Sequence, residues 1–208
     1  EQSEALETKL KQTETDNENK SFNVMRSWNP RANDVIKDVQ LFNPEEVILM
    51  PLYPQYSAAT SGSSIKEWKD VCKKNNYKIK TSTICCYPTD KNFINAHTKE
   101  IIKKIKDLKN FKLIFSAHGL PEKNIKKGDP YQWQVEKTVN DLVDKLSIKN
   151  LNYILSYQSR VGPLKWIGPS TEKVIKDEAK KKQIIIVVPV AFVSEHSETL
   201  VELDIEYK

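Results

Sequence analysis

Two short stretches of this chain hold residue types that packing alone does not readily explain. The first is IFSAHGLP, residues 114–121, in which an apolar run ends in His118 followed at once by Gly119. The chain has only three histidines. A neutral imidazole can accept a proton or bind a metal near pH 7, and a glycine beside it permits a tight turn or close approach of a ligand. A histidine bonded to a neighbouring backbone carbonyl would occupy the same position. The second stretch is SEHSETLVELDIEY, residues 194–207. On an α-helix, Glu195, Glu198, Glu202 and Glu206 share one face, with Leu200, Leu203 and Tyr207 opposite. Such a face is ordinarily a solvated one. Directly after a buried strand, however, a carboxylate row could hold or pass a divalent cation, and oxygen and imidazole ligands suit borderline metals such as Fe(II). In an ideal helix His196 would point roughly 100° from Glu195 and about 160° from Glu198, so an irregular turn would be needed to bring it back.

Aromatic residues cluster near the same places. Tyr53, Tyr56, Tyr157 and Trp166 follow apolar segments, where they could form core or rim, or walls for a flat apolar ligand. The hydroxyls and amides of SGSS, residues 61–64, could hold a carboxylate or phosphate ahead of a helix.

The elements that must position these groups alternate. Strands are expected at Phe22–Arg26 and within EVILMPLYP, YKIKTSTICCYP, FKLIFSAHGLP, LNYILSYQSRVGP and QIIIVVPVAFV. Helices are expected between them: one capped by Asn29 with Pro30 in its first turn, and one opened by a Ser64–Glu67 capping box. Others are expected over Phe93–Leu108, after Asp129–Pro130, in GPSTEKVIKDEAKKK and in the final acidic stretch. The opening EQSEALETKLKQTETDNENK reads as the later part of a helix running into a polar loop. Alternation of this kind implies βαβ units and mostly parallel sheets. In open parallel sheets ligands bind beyond the carboxyl ends of the strands. That rule selects YPQYSAATSGSS, SAHGLP, YQSRVGPLKW and VSEHSETLVE.

Composition narrows the class. A 208-residue chain with net charge +5 and 38% hydrophobic residues suits a soluble globular protein of one large or two small domains. Its longest apolar run, Ile184–Val193, is half what a membrane-spanning helix needs and contains Pro189. No signal peptide is expected, because no basic segment followed by an apolar stretch stands at its start. The lysine clusters read as solvated faces, with no nucleic-acid motif beside them. Three cysteines, Cys72 and the adjacent Cys85 and Cys86, make no disulfide framework and point to a reducing compartment. There is no G-x-G-x-x-G and no Walker A motif among five glycines.

LYPQYSAATSGSS, LIFSAHGLPEKNIKKGDPY, YQSRVGPLKWIGP and VPVAFVSEHSETLVELDIEY, taken together and in this order, resemble the ferrochelatases, in a bacterial version. The resemblance covers roughly residues 22–208. It implies an α/β fold of two Rossmann-like, chelatase-type lobes with parallel sheets and flanking helices, the porphyrin lying in the cleft between them. Residues 1–109 would form a partial amino-terminal lobe and residues 110–208 a carboxy-terminal lobe carrying the metal site. The activity implied is insertion of Fe(II) into protoporphyrin IX to give haem. A non-catalytic tetrapyrrole- or metal-binding module, or a chelatase for another porphyrin or metal, remain alternatives.

The resemblance further implies that His118 and Glu198 are the catalytic and metal-binding pair, with Glu195, His196, Glu202 and Glu206 along a path for metal or protons. Arg26, Tyr53, Tyr56, Ser57, Ser116 and Trp166 are the residues expected to meet the porphyrin. No tightly bound cofactor and no Fe–S cluster are expected. Ala58 stands where animal members carry a cluster cysteine, and the carboxy-terminal cysteines are absent. Ser27 and Asn29 replace an aromatic and a histidine common in relatives. The family's amino-terminal strand with its glycine-containing loop, and its closing elements after LDIEY, have no counterpart here, so a fragment is expected. The partners implied are porphyrin and Fe(II), with no nucleic acid. The location implied is cytoplasmic, with peripheral membrane contact and oligomeric state left open.

Overall fold

A computed structural model describes residues 2–14 and 17–207. Residues 1, 15 and 16 of the expected opening helix and loop, and residue 208, lie outside the described residues. The chain divides into two compact units, the described residues of Glu1–Met50 with Ala59–Ile84, and those of Pro51–Ala58 with Cys85–Lys208.

In the first unit, β1 (Glu46–Leu49) pairs in parallel with β2 (Lys80–Thr83). Helices α1 (Gln2–Thr13), α2 (Ala32–Phe42) and α3 (Ser63–Lys74) complete it. The spacing of Val35, Ile36 and Val39 gives α2 one apolar face, and these residues pack with Ala32, Trp68 and Val71 into a small core. Three sequence expectations fail here. Phe22–Arg26 forms no strand. Instead the Met25 N–H turns back to the Pro30 carbonyl at 2.7 Å. Asn29 does not cap α2. The cap is Arg31, whose N–H donates to the Asp34 carboxylate at 2.7 Å, the reciprocal half of a capping box. Nor do Ser64 and Glu67 open α3. A π-helical segment, Ala58–Gly62, leads straight into it, and Arg31 takes the Glu67 carboxylate at 2.7 Å.

The second unit has a three-stranded parallel sheet of order β4-β3-β5, formed by β3 (Phe111–His118), β4 (Tyr153–Gln158) and β5 (Ile184–Pro189). Four α-helices flank it in sequence: α4 (Lys91–Ile105), α5 (Glu122–Lys126), α6 (Tyr131–Leu146) and α7 (Thr171–Ala179). β3 is central, so Leu113, Ile114, Phe115 and Ala117 are fully buried on both of its faces. α4 and α6 bury Ile94, Ile101, Ile105, Val135, Val139 and Leu142 in the same core. Asp129 accepts the Tyr131 N–H at 3.1 Å, so α6 begins one residue after Pro130 rather than at it. The two parallel sheets with flanking helices are the α/β architecture the alternating pattern predicts.

The last element differs most from expectation. Residues Glu198–Glu206 form a π-helix, not an α-helix. The Tyr207 N–H reaches five residues back to the Glu202 carbonyl at 3.0 Å. The wider coil changes which side chains share a face, and Glu195 lies before the helix altogether.

Candidate active site

The carboxyl end of the second unit's sheet is where the chemically equipped residues meet. Register pairs His118, the last residue of β3, with Gln158, the last of β4. His118 Nδ1 lies 3.5 Å from Glu198 Oε1, with the histidine 41% and the glutamate 25% exposed. His196 Nδ1 lies 2.8 Å from the other Glu198 oxygen but makes no hydrogen bond. Its ring packs edge-on against Phe192. The irregular turn before the π-helix thus brings His196 back beside Glu198, which an ideal α-helix would not. The Ser197 hydroxyl donates to the same carboxylate at 2.7 Å.

Electrostatics separate the two central groups. Burial holds the His118 imidazole below its ordinary value and His196 pushes it the same way, against the opposing pull of Glu198 and Glu202. The neutral ring is therefore favoured near pH 7. For Glu198, burial acts to raise the carboxyl, but the Ser197 hydroxyl, its own N–H, His196 and His118 together hold it below the usual range. Both shifts favour a neutral base beside an ionised carboxylate. Tyr53 is pushed up by burial and by the charge of Glu198, so its phenol keeps its proton.

Sequence reasoning missed the group that fixes this arrangement. The Gln158 amide is 1% exposed. It donates to the Glu198 carbonyl at 2.8 Å and to the Glu202 carboxylate at 3.0 Å, and accepts the Ser116 hydroxyl at 2.6 Å. Ser159 donates to both Glu202 oxygens, at 2.7 and 2.9 Å, from a left-handed backbone at φ 59°. A non-glycine residue there is uncommon, but no sequence signal announces it. Tyr131 donates to the His118 carbonyl at 2.9 Å and steadies the strand end.

The other sequence-predicted residues are placed as follows. Ser116 is fully buried, and its hydroxyl joins Thr171 and Gln158 inside the unit. Ser57 is buried with its hydroxyl on Asp129 at 2.8 Å. The Tyr56 N–H donates to Gln134 at 2.7 Å. Trp166 faces Gly119 and bridges to Pro121, its indole N–H buried without a partner. Glu195 and Glu206 are exposed. Arg26 belongs to the first unit, 3.4 Å from Glu67. Among the described residues no group of three or more His, Cys, Asp or Glu is arranged to hold a metal ion, and no helix is long and apolar enough to cross a membrane.

A family model described as ferrochelatase matches residues 1–208, the whole chain. The chain belongs to the ferrochelatase family. It is 81% identical over 207 residues to the ferrochelatase of Pelagibacter ubique (strain HTCC1062), covering all of this chain and 60% of that protein. It is 51% identical over 207 residues to the ferrochelatase of Rickettsia bellii (strain OSU 85-389), covering 98% of this chain and 56% of that one. Identity to the ferrochelatase of Rickettsia conorii (strain ATCC VR-613 / Malish 7) is also 51%, over 208 residues. The chain therefore spans somewhat under two thirds of the length of these ferrochelatases.

Proposed function

We propose that this chain carries the metal-handling part of a ferrochelatase, which inserts Fe(II) into protoporphyrin IX to give haem. The observation that carries this reading is the pairing of half-exposed His118 with Glu198 at 3.5 Å, at the carboxyl end of a parallel sheet; the downward shifts of both groups favour a neutral imidazole beside a carboxylate. Insertion must strip water from the cation and remove two protons from pyrrole nitrogens. A neutral imidazole accepts a proton or offers a lone pair to the incoming cation, and a carboxylate offers oxygen. His118 and Glu198 together supply both.

Glu202 is held by Gln158 and Ser159 and oriented toward the same end of the sheet, so it suits the inner end of a route for cations or released protons. Glu195, His196 and Glu206 would extend that route. Tyr53, Tyr56 and Trp166 would supply flat walls, and Arg26 a cation for a propionate. Ser57 and Ser116 would act by holding the loop and strand that carry their neighbours, because their own hydroxyls are internally bonded. We further propose residues 110–208 as the lobe carrying the metal site, a partial lobe at 1–109, and a cytoplasmic location with peripheral membrane contact.

The test is anaerobic metallation of protoporphyrin IX by the chain, followed by the Soret and Q-band shift, with porphyrin fluorescence reporting binding. Turnover by the parent chain that is lost in a folded His118→Ala variant supports the reading. Near-normal metallation by that variant overturns the His118 assignment. Porphyrin binding without turnover by the parent chain makes it a binding module instead.

A further inference from the structure

Beyond the sheet end, the second unit holds a pair of thiols that the proposed reaction does not use. Cys85 and Cys86 are adjacent in sequence, separated from the end of β2 by one residue, and both are free. Neighbours on an extended strand point to opposite faces. Here the chain has left the strand and the two sulfurs converge to 3.2 Å. Cys85 is exposed and Cys86 half-buried. Cys86 is held in place by the Gln134 amide, which donates to its sulfur at 3.6 Å. The other end of that amide is fixed by the Tyr56 N–H at 2.7 Å. One thiol is thus anchored and the other is open to solvent.

Geometry narrows what such a pair can hold. Consecutive Cα atoms lie about 3.8 Å apart across a trans peptide, inside the usual disulfide minimum of about 4.4 Å. Direct S–S closure is therefore disfavoured and the dithiol persists. A tetrahedral zinc with Zn–S bonds of about 2.3 Å would require sulfurs about 3.8 Å apart, wider than the 3.2 Å seen. It would also need further protein ligands, and no third His, Cys, Asp or Glu joins the pair among the described residues. A trivalent centre with a lone pair is pyramidal, with bond angles near a right angle. It matches the narrow bite and needs only two sulfurs when its third bond is already made to carbon.

We propose that Cys85 and Cys86 form a chelating site for a trivalent, thiophilic metalloid of the organoarsenic(III) class. In the capture step two S–H bonds and the As=O unit of an arsine oxide break, and two S–As bonds form. Both thiol protons leave with the oxygen as water, and arsenic stays trivalent, so no oxidant or reductant takes part.

The probe is phenylarsine oxide, titrated against the whole chain and read by intact mass. One adduct per chain, with loss of water, is expected in the parent chain and in Cys72→Ser. It should be absent from Cys85→Ala and Cys85→Ser, where a single thiol cannot chelate. The adduct should resist excess glutathione and be removed by 2,3-dimercaptopropanol. Circular dichroism checks the folding of each variant, and an exposed position makes both Cys85 replacements compatible with the fold. An adduct retained in either Cys85 variant overturns the proposal. So does a parent chain that takes no phenylarsine oxide while iodoacetamide alkylates both thiols.

Discussion

Replacing Gln158 by leucine removes an amide that joins both strand ends to the π-helix while nearly conserving side-chain volume. Two neutral hydrogen bonds, to the Glu198 carbonyl and from Ser116, are each worth about 1 kcal/mol, and the bond to the Glu202 carboxylate about 1.5–3 kcal/mol. Ser116 keeps Thr171 and Glu202 keeps Ser159, so neither is orphaned. The Glu198 carbonyl loses its amide partner. Burying a leucine offsets about 1.5 kcal/mol. The net loss should be about 2–3.5 kcal/mol, which lowers a urea midpoint by about 1–2 M at a slope near 2 kcal/mol per M. Urea unfolding followed by circular dichroism measures it. Hydrogen exchange should locate it as faster exchange at residues 198–206, and on the proposed function metallation should fall as Glu198 loses its fixed distance from His118. Gln158→Glu should be worse at neutral pH, since it sets a second carboxylate against Glu202, and should recover on acidification. A leucine variant within about 0.5 kcal/mol of the parent, or a glutamate variant indistinguishable from the leucine one, would show that Gln158 is only filling space.

Gly119→Ala should destabilise by about 1–3 kcal/mol, the usual range for overpacking. Its Cβ would lie 2.8 Å from the rigid Gln158 carbonyl and 3.2 Å from Trp166. An alanine variant as stable as the parent in the same urea assay would refute that steric reading. Tyr131→Phe removes the bond to the His118 carbonyl and should cost about 1 kcal/mol. On the proposed function, its metallation rate should fall more than its porphyrin affinity. His97 is packed against Phe93, and burial holds its imidazole below the ordinary 6.5. The unfolded chain therefore binds that proton first. The stability owed to neutral His97 is complete above pH 6.5 and lost as pH falls through the lower folded value. His97→Phe should flatten that slope in urea titrations below pH 6.5, and an unchanged slope would assign it elsewhere.

Much was determined by sequence alone. Apolar runs and helical spacings are short-range signals, so the alternation of strands and helices, the parallel sheets and the core face of α2 were all legible. So was the position of His118 at a strand end, because β3 ends where its apolar run ends. Local signals failed where distant partners decided the outcome. Glu67 looks like half of a capping box but is taken by Arg31, thirty-six positions away in sequence. Phe22–Arg26 has strand-like residues but no strand to pair with. Gly119 reads as freedom for a turn, whereas its hydrogen atom makes room for the Gln158 carbonyl of the neighbouring strand.

The candidate site divides in the same way. Residue types named His118, Glu198 and Glu202 as groups able to do chemistry. Only the tertiary structure could decide that the last helix coils with a five-residue bond, that His196 turns back onto Glu198, and that a buried glutamine holds the Glu198 backbone and the Glu202 carboxylate in place. Helical periodicity is written in the order of residues along one segment. A hydrogen bond across forty residues depends on where two strand ends and a helix meet, and that is fixed only when the sheet packs.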